Sequence, residues 1–362
     1  MQLGIVSYYS VAQCGELYGC FIKKYCIFAA QSALVFDRAV TKNNMVKQFK
    51  DYILISLKGL AMGAVEVVPG VSSGTIALIA GIYEELLSTI KNFPVAIKDL
   101  FKNKFDLKLF WKNANGNFLL ALFLGMGTGV LSLAKLTKYA LENYPVPMWA
   151  FFFGLVLASV WFVLREVDKW KLNYFALFAV GVIAGFLITI LSPAETPEAL
   201  WFIFLSGSIA ICAMMLPGIS GSFMLLILGK YQYILTALTE GNIPVILTFI
   251  AGAAIGIILF SHFLTWLLKN YHAITIFFLG GVMFGSLNKI WPWKKVVETV
   301  VKPDGEVVPI VENNILPATY TELTSEPSQV LYAAIMFVVG LSIIFVIDGI
   351  ARKMKASKML AG

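Results

Sequence analysis

Apolar residues run through this chain in long stretches almost free of charge, such as Phe175 to Leu191 and Tyr332 to Ile347. Runs of this kind approach or reach the roughly 17–25 residues that a helix needs to cross a bilayer. Lipid offers no water to backbone N–H and C=O groups, so spanning segments must be helices or closed barrels. The composition agrees, with 59% hydrophobic and 14% charged residues, where a soluble domain carries about 25% charged. So many runs disfavour a soluble α-protein with buried helices. The expected class is all-α, a polytopic integral membrane protein.

Apolar runs read against punctuation predict helical segments at 52–68, 70–90, 116–140, 147–164, 172–191, 199–216, 217–238, 243–268, 273–290 and 329–350. Two pairs, 52–90 and 199–238, are each interrupted by Pro-Gly, at Pro69-Gly70 and Pro217-Gly218, and their limbs are short for full spans. They read as broken, re-entrant helical hairpins. The net charge of +7 could suggest nucleic acid. The basic residues lie between apolar runs, however, so membrane topology explains them better and no nucleic-acid partner is expected.

Loop charges predict sidedness. Lys91, Lys98, Lys102, Lys104, Lys108 and Lys112 place 91–114 in the cytoplasm, as Arg165, Lys169 and Lys171 place the next inner loop. The acidic segment Ser192 to Glu198 and Glu240 fall outside, Lys269 inside, and the mixed-charge loop 291–328 outside. Arg352, Lys353, Lys355 and Lys358 then put the C-terminus in the cytoplasm. Residues 1–44 differ from the rest and lack a clean signal peptide. They read as a dispensable extension or a misassigned start, with Met45 as the alternative beginning. The four cysteines, Cys14, Cys20, Cys26 and Cys212, form no CxxC pair, and with two histidines they support neither a zinc site nor a disulfide framework. No cofactor is expected.

A constant offset superposes the interrupted segments. Leu57 falls on Leu205, Gly59 on Gly207, Pro69 on Pro217, Gly70 on Gly218, Ser72 on Ser220, Gly81 on Gly229 and Tyr83 on Tyr231. A shorter offset aligns Gly125 and Gly129 with Gly252 and Gly256, and Gly154 with Gly281. The expected repeats are 45–191 and 192–358, each a broken hairpin followed by three spans. An odd number of crossings per repeat inverts the second copy, so the two hairpin tips should converge near the midplane, as in secondary transporters.

A Pro-Gly break frees backbone groups that only buried protein or a polar cavity can satisfy. Each break is followed by hydroxyls, Ser72, Ser73 and Thr75 in the first copy and Ser220 and Ser222 in the second. New helix ends with free N–H groups favour an anion there. The candidate cradle therefore comprises Gly70, Ser72, Ser73, Gly74 and Thr75 with Gly218, Ser220, Gly221 and Ser222. The plainer reading is that the serines cap kinked helices and the glycines permit close packing. Charges in apolar segments usually serve function. Glu66, just before the first break, is a candidate proton-coupling group or the partner of a lysine such as Lys58. Lys135 and His262 are aligned secondary phosphate candidates, though a packing histidine is the commoner case. Lys230 is expected to snorkel toward the interface, and the glycine pairs to be helix-packing faces.

The stretch from Leu57 to Ile90, LKGLAMGAVEVVPGVSSGTIALIAGIYEELLSTI, resembles the signature of the bacterial and archaeal polyprenyl-phosphate transporters. Met214 to Tyr231 is similar to its second copy. Ser73 stands where the family form has a glycine. The resemblance covers roughly Met45 to Lys355 and leaves out the first 44 residues. It implies return of undecaprenyl phosphate, or a related polyprenyl phosphate, from the outer to the inner leaflet of the bacterial cytoplasmic membrane, for reuse as an envelope carrier lipid. Alternatives are an intramembrane lipid phosphatase or phosphotransferase, which lacks an evident nucleophile-base pair or carboxylate cluster here, and a transporter or channel for a small soluble anion.

Overall fold

A computed structural model of the chain describes residues 49–66, 72–191, 193–301 and 307–360. It divides into Met1–Tyr52, of which only the last few residues are described, and Ile53–Gly362. The proposed extension 1–44 lies outside the described residues, as does Gly70.

The described residues begin with α1 (Phe49–Glu66), α2 (Ser73–Ile79) and α3 (Tyr83–Lys102), and a similar series of a longer helix and two shorter ones is α8 (Leu200–Met215), α9 (Gly221–Ile227) and α10 (Tyr231–Glu240). Between them stand α4 (Leu107–Asn113), α5 (Gly116–Asn143), α6 (Pro145–Leu164) and α7 (Leu172–Ile190). After α10 come α11 (Ile243–Ser286), a 3₁₀ turn (Leu287–Ile290), β1 (Lys294–Val301), β2 (Val307–Asn314), α12 (Pro317–Thr324) and α13 (Val330–Leu360). Among the described residues, three helices are long and apolar enough to cross a membrane, or up to five if each sharply bent pair counts as one span. One of the three, α11, has non-helical backbone at Tyr271 (φ −135°, ψ 41°). Its 44 residues, at 1.5 Å per residue, make roughly two bilayer crossings. The break expected between the segments 243–268 and 273–290 falls at Tyr271, where two helices meet at a kink.

Three expectations need correction. Each broken hairpin has a second break. The limb read as 70–90 divides at Gly81 and the limb read as 217–238 divides at Gly229, with φ of +66° and +62°. Glycine adopts this left-handed backbone without a Cβ clash, so the chain turns there. Between α9 and α10 the bend is 105°. The segment 91–114, read as a loop from its lysines, is largely helical, because α3 runs to Lys102 and α4 follows with Asp106 capping the amides of Lys108 and Leu109. Lysine is a good helix former, and charge alone did not mark a loop. Finally, the chain is mostly helical but not all-α. Valine-rich β1 and β2 pair antiparallel, from Lys294 opposite Asn314 to Val301 opposite Val307, as β-branched residues favour.

Glycines set the helix packing, and they do so twice over. A Cβ on Gly59 would overlap the Leu122 carbonyl and press on the Met126 amide, while one on Gly207 would meet Phe249 and Ala253 in the same way. Gly125 and Gly129 of α5 seat against Ser56 and Leu60 of α1, and Gly252 and Gly256 of α11 against Phe204 and Ser208 of α8. Every residue in the second set is the aligned partner of one in the first. Gly154 of α6 meets Phe337 and Leu341 of α13, and Gly281 of α11 meets Phe178 and Val182 of α7. Here α6 packs against α13, late in the chain, and α11 packs back against α7, which directly follows α6. Close backbone approach through small residues is how helices associate where lipid removes the hydrophobic drive.

Candidate functional site

The two copies of the Pro-Gly-x-Ser motif are brought together through the first copy's side chains. Ser72 is the N-cap of α2 and accepts from the Gly74 amide at 3.1 Å. Its hydroxyl also approaches the carbonyls of Met214 (3.2 Å) and Leu216 (3.4 Å), at the end of α8. Thr75, fully buried, accepts from the Gly218 amide at 2.9 Å. Tyr83, at the start of α3, donates to the Met215 carbonyl at 2.7 Å. Backbone freed by the second break is therefore satisfied by hydroxyls of the first, as burial demands. Ser73 and Gly74 are buried here too. Glu66 ends α1 next to the undescribed residues of the first break, and its carboxyl bonds with Ser73. Lys58 donates to the Ala80 carbonyl.

The second copy is arranged differently. Ser220 is the N-cap of α9, but its side chain caps no amide and pairs with Ser222 at 2.9 Å. It lines a small pocket with Gly218, Thr189 of α7, Ser286 of α11, Phe223 and Lys289. Gly218 sits at φ +86° with Ser286 against it, so a Cβ there would strike the Ser286 hydroxyl at 2.7 Å. The pocket's open volume is about 10 Å³, roughly room for one water, so this conformation is nearly closed.

Lys289 is the charged group at this pocket, and it was not singled out from the sequence. Its ammonium lies 4.8 Å from the centre of the Phe223 ring and 3.1 Å from Glu312 of β2. The same carboxylate oxygen binds Lys294 of β1 at 3.2 Å. Lys294 also sits 4.0 Å over the Trp149 ring, a favourable cation–π distance. Burial pulls the Lys294 ammonium down to about 8, though Glu312 opposes the shift. Burial alone would raise the Glu312 carboxyl, but Lys294 and Lys289 outweigh it and leave the group below its ordinary value. Two residues on, Asn314 donates to the carbonyl and side-chain oxygens of Asn288, both at 2.8 Å, and Asn288 donates to Thr189 at 2.8 Å. Residues two apart on a strand share a face, so one face of β2 ties down the rim of the pocket.

A family model described as undecaprenyl phosphate translocase-like matches residues 62–308. The chain belongs to that family. A polyprenyl-phosphate transporter of Vibrio cholerae is 42% identical over 309 residues, covering 85% of this chain and all of the relative. A polyprenyl-phosphate transporter of Staphylococcus aureus is 32% identical over 266 residues, 68% of this chain and 88% of its own length. No solved structure matches.

In this translocase-like chain the remaining candidates stand apart from the pocket. His262 is exposed on α11, its Nδ1 2.8 Å from the Ile258 carbonyl one turn earlier. Lys135 belongs to α5. Lys230 was expected at the interface but is buried, its ammonium donating to the Thr196 carbonyl at 2.8 Å and lying near the Phe202 and Tyr233 rings. Sequence reading also passed over His272, which meets Glu84 at 3.6 Å beside the α11 kink. Nearby Glu166 is held above its ordinary value, chiefly by burial. Among the described residues no group of three or more His, Cys, Asp or Glu is placed to hold a metal ion.

Proposed function

We propose that this chain is a secondary transporter that carries undecaprenyl phosphate, or a related polyprenyl phosphate, from the outer to the inner leaflet of the cytoplasmic membrane. The observation that carries the reading is the pocket at the second break, where hydroxyls and Lys289 gather between apolar helices. A phosphate head group suits such a site, while a long isoprenoid tail can stay in lipid beside the helices. The names of the two relatives support the substrate class. The proposed binding residues are Gly70, Ser72, Ser73, Gly74 and Thr75 from the first break and Gly218, Ser220, Gly221 and Ser222 from the second. In the conformation at hand Ser72 and Thr75 are engaged with the backbone around the second break, so they would meet the lipid only as the breaks move, whereas Ser220 already lines the pocket.

The reciprocal glycine contacts favour two repeats exchanged by a two-fold operation, and an odd number of crossings per repeat would invert one relative to the other. Inward movement of an anion against an inside-negative potential costs about 2.3 kcal/mol per charge per 100 mV. Proton cotransport would offset that, and Glu66, adjoining the break, is the proposed proton carrier. The protein is read as a transporter and not an enzyme.

The test is translocation of polyprenyl phosphate in proteoliposomes, with and without a proton gradient. The expected result is protein-dependent movement of the phosphate lipid but not of the neutral polyprenol, stimulated by the gradient, with Glu66→Gln removing only the stimulation. Equal movement of both lipids would overturn the substrate assignment. Cysteine labelling from the two sides should find Lys104 and Lys355 inside and Glu195 outside.

A further inference from the structure

Pocket and β hairpin share one carboxylate between two cations. Glu312 Oε2 lies 3.1 Å from Lys289, which lines the pocket, and 3.2 Å from Lys294, which does not. All three side chains are largely withdrawn from water, with relative exposures of 17%, 13% and 6% for Lys289, Glu312 and Lys294. Three charges so placed leave one unit of positive charge without a fixed partner, in surroundings that otherwise include the Phe223 and Trp149 rings. Uncompensated buried charge is costly, and an anion arriving at the pocket would complete the set.

We propose that Lys289 is the residue that grips the phosphate of the lipid, and that Glu312 regulates it by dividing its allegiance between Lys289 and Lys294. This rests on the transport reading above and adds a specificity residue and its control. With the pocket empty, Glu312 bridges both lysines and holds Lys289 toward the hairpin. With phosphate present, Lys289 turns to the new anion while Glu312 stays with Lys294, so that each charge keeps a partner. Lys294 thereby affects binding without touching the lipid. It keeps Glu312 occupied and prevents that carboxylate from competing with the phosphate or repelling it. Asn314, on the same face of β2, keeps the strand in register through Asn288 while the charges re-pair.

The experiment measures binding of farnesyl phosphate and of neutral farnesol to the purified full chain in detergent, with monodispersity and farnesol binding as controls for folding. Lys289→Gln should weaken farnesyl phosphate binding roughly tenfold or more, the usual effect of losing a hydrogen bond to a charged group. It should leave farnesol unchanged, and Lys289→Arg should retain most of the phosphate preference. Lys294→Met should also weaken phosphate binding, because Glu312 then serves Lys289 alone. Adding Glu312→Gln to Lys294→Met should restore it. The proposal is overturned if Lys289→Gln binds farnesyl phosphate as the wild type does, or if the double variant binds no better than Lys294→Met. Should Lys289→Gln fail to fold, the Lys294 and Glu312 pair decides. If the wild type prefers farnesyl phosphate while these variants behave otherwise than stated, the transport reading stands and only the lysine assignment falls. A wild type that does not distinguish the two ligands defeats both.

Discussion

Thr75→Val tests whether the first break holds the second. The substitution keeps the shape of a fully buried side chain and exchanges a hydroxyl for a methyl group. What it removes is the acceptor, 2.9 Å away, for the Gly218 amide. A buried N–H left without a partner costs about 1–3 kcal/mol, and more than half of that range is expected because the joint is closed to water. Tyr83→Phe removes the donor to Met215 at 2.7 Å and leaves a carbonyl with one fewer partner, for about 0.5–1.5 kcal/mol. Met215 and Gly218 belong to one short stretch of backbone, so once either restraint is lost the other has less to hold. The double variant should then be less destabilised than the sum, with an interaction energy of roughly 0.5 kcal/mol or more. Equilibrium unfolding in mixed micelles measures all four corners of the cycle. A change below about 0.5 kcal/mol for Thr75→Val, together with strict additivity, would mean that the contact does not join the two breaks.

Gly125→Ala and Gly252→Ala should destabilise the protein alike, because each new Cβ strikes a carbonyl of the neighbouring helix, whereas Gly127→Ala, with nothing within 4 Å, should be neutral or stabilising by up to about 1 kcal/mol; thermal stability in detergent reads both. The Lys294 ammonium, pulled down to about 8 in the fold from an ordinary 10.5, makes the unfolded chain bind more protons between those values. Stability should therefore rise with pH across that window, by about 3 kcal/mol at most, and the rise should vanish in Lys294→Met. Ser72→Ala should cost about 0.5–2 kcal/mol of stability as a lost cap, while Ser220→Ala, which caps nothing, should leave stability nearly unchanged and weaken phosphate-lipid binding in a titration.

The parts of the fold legible in the sequence were those written in backbone-dictating residues. Proline and glycine at Pro217-Gly218, and glycines at helical spacing, announce geometry directly, and the same offsets that aligned the glycines reappear as contacts between helices. The further turns at Gly81 and Gly229 were visible in the alignment as a shared Gly-x-Tyr, but nothing in an apolar run distinguishes a glycine that packs from one that turns. The β hairpin left a signal too: valine-rich runs on both sides of Pro303-Asp304-Gly305 are strand composition around a turn sequence. The mixed charges of the segment, Lys294, Lys295 and Glu298 among them, give it the look of a loop and mask that β-branching. Lys289 was missed for another reason. It lies at the end of an apolar segment, where a lysine usually reaches out to water, and only the strand that folds over it makes it a buried cation.

The same motif does two different jobs in one conformation, and that asymmetry follows from position and not from composition. Ser72 and Ser220 are aligned residues with nearly identical backbone, at φ −98° and ψ 133° against φ −96° and ψ 132°. Both begin a seven-residue helix that a left-handed glycine ends. Yet Ser72 spends its hydroxyl on its own cap and on the opposite hairpin, while Ser220 turns to Ser222 and the pocket. Local sequence therefore builds two equivalent units, and what surrounds each unit decides whether its hydroxyl is a structural bond or an available donor. A carrier that must open its site to one face at a time needs units of this kind, alike enough to exchange roles at small cost. On the proposed transport cycle, the state open to the other face would have Ser220 seated against the residues before the first break and Ser72 released toward the lipid phosphate.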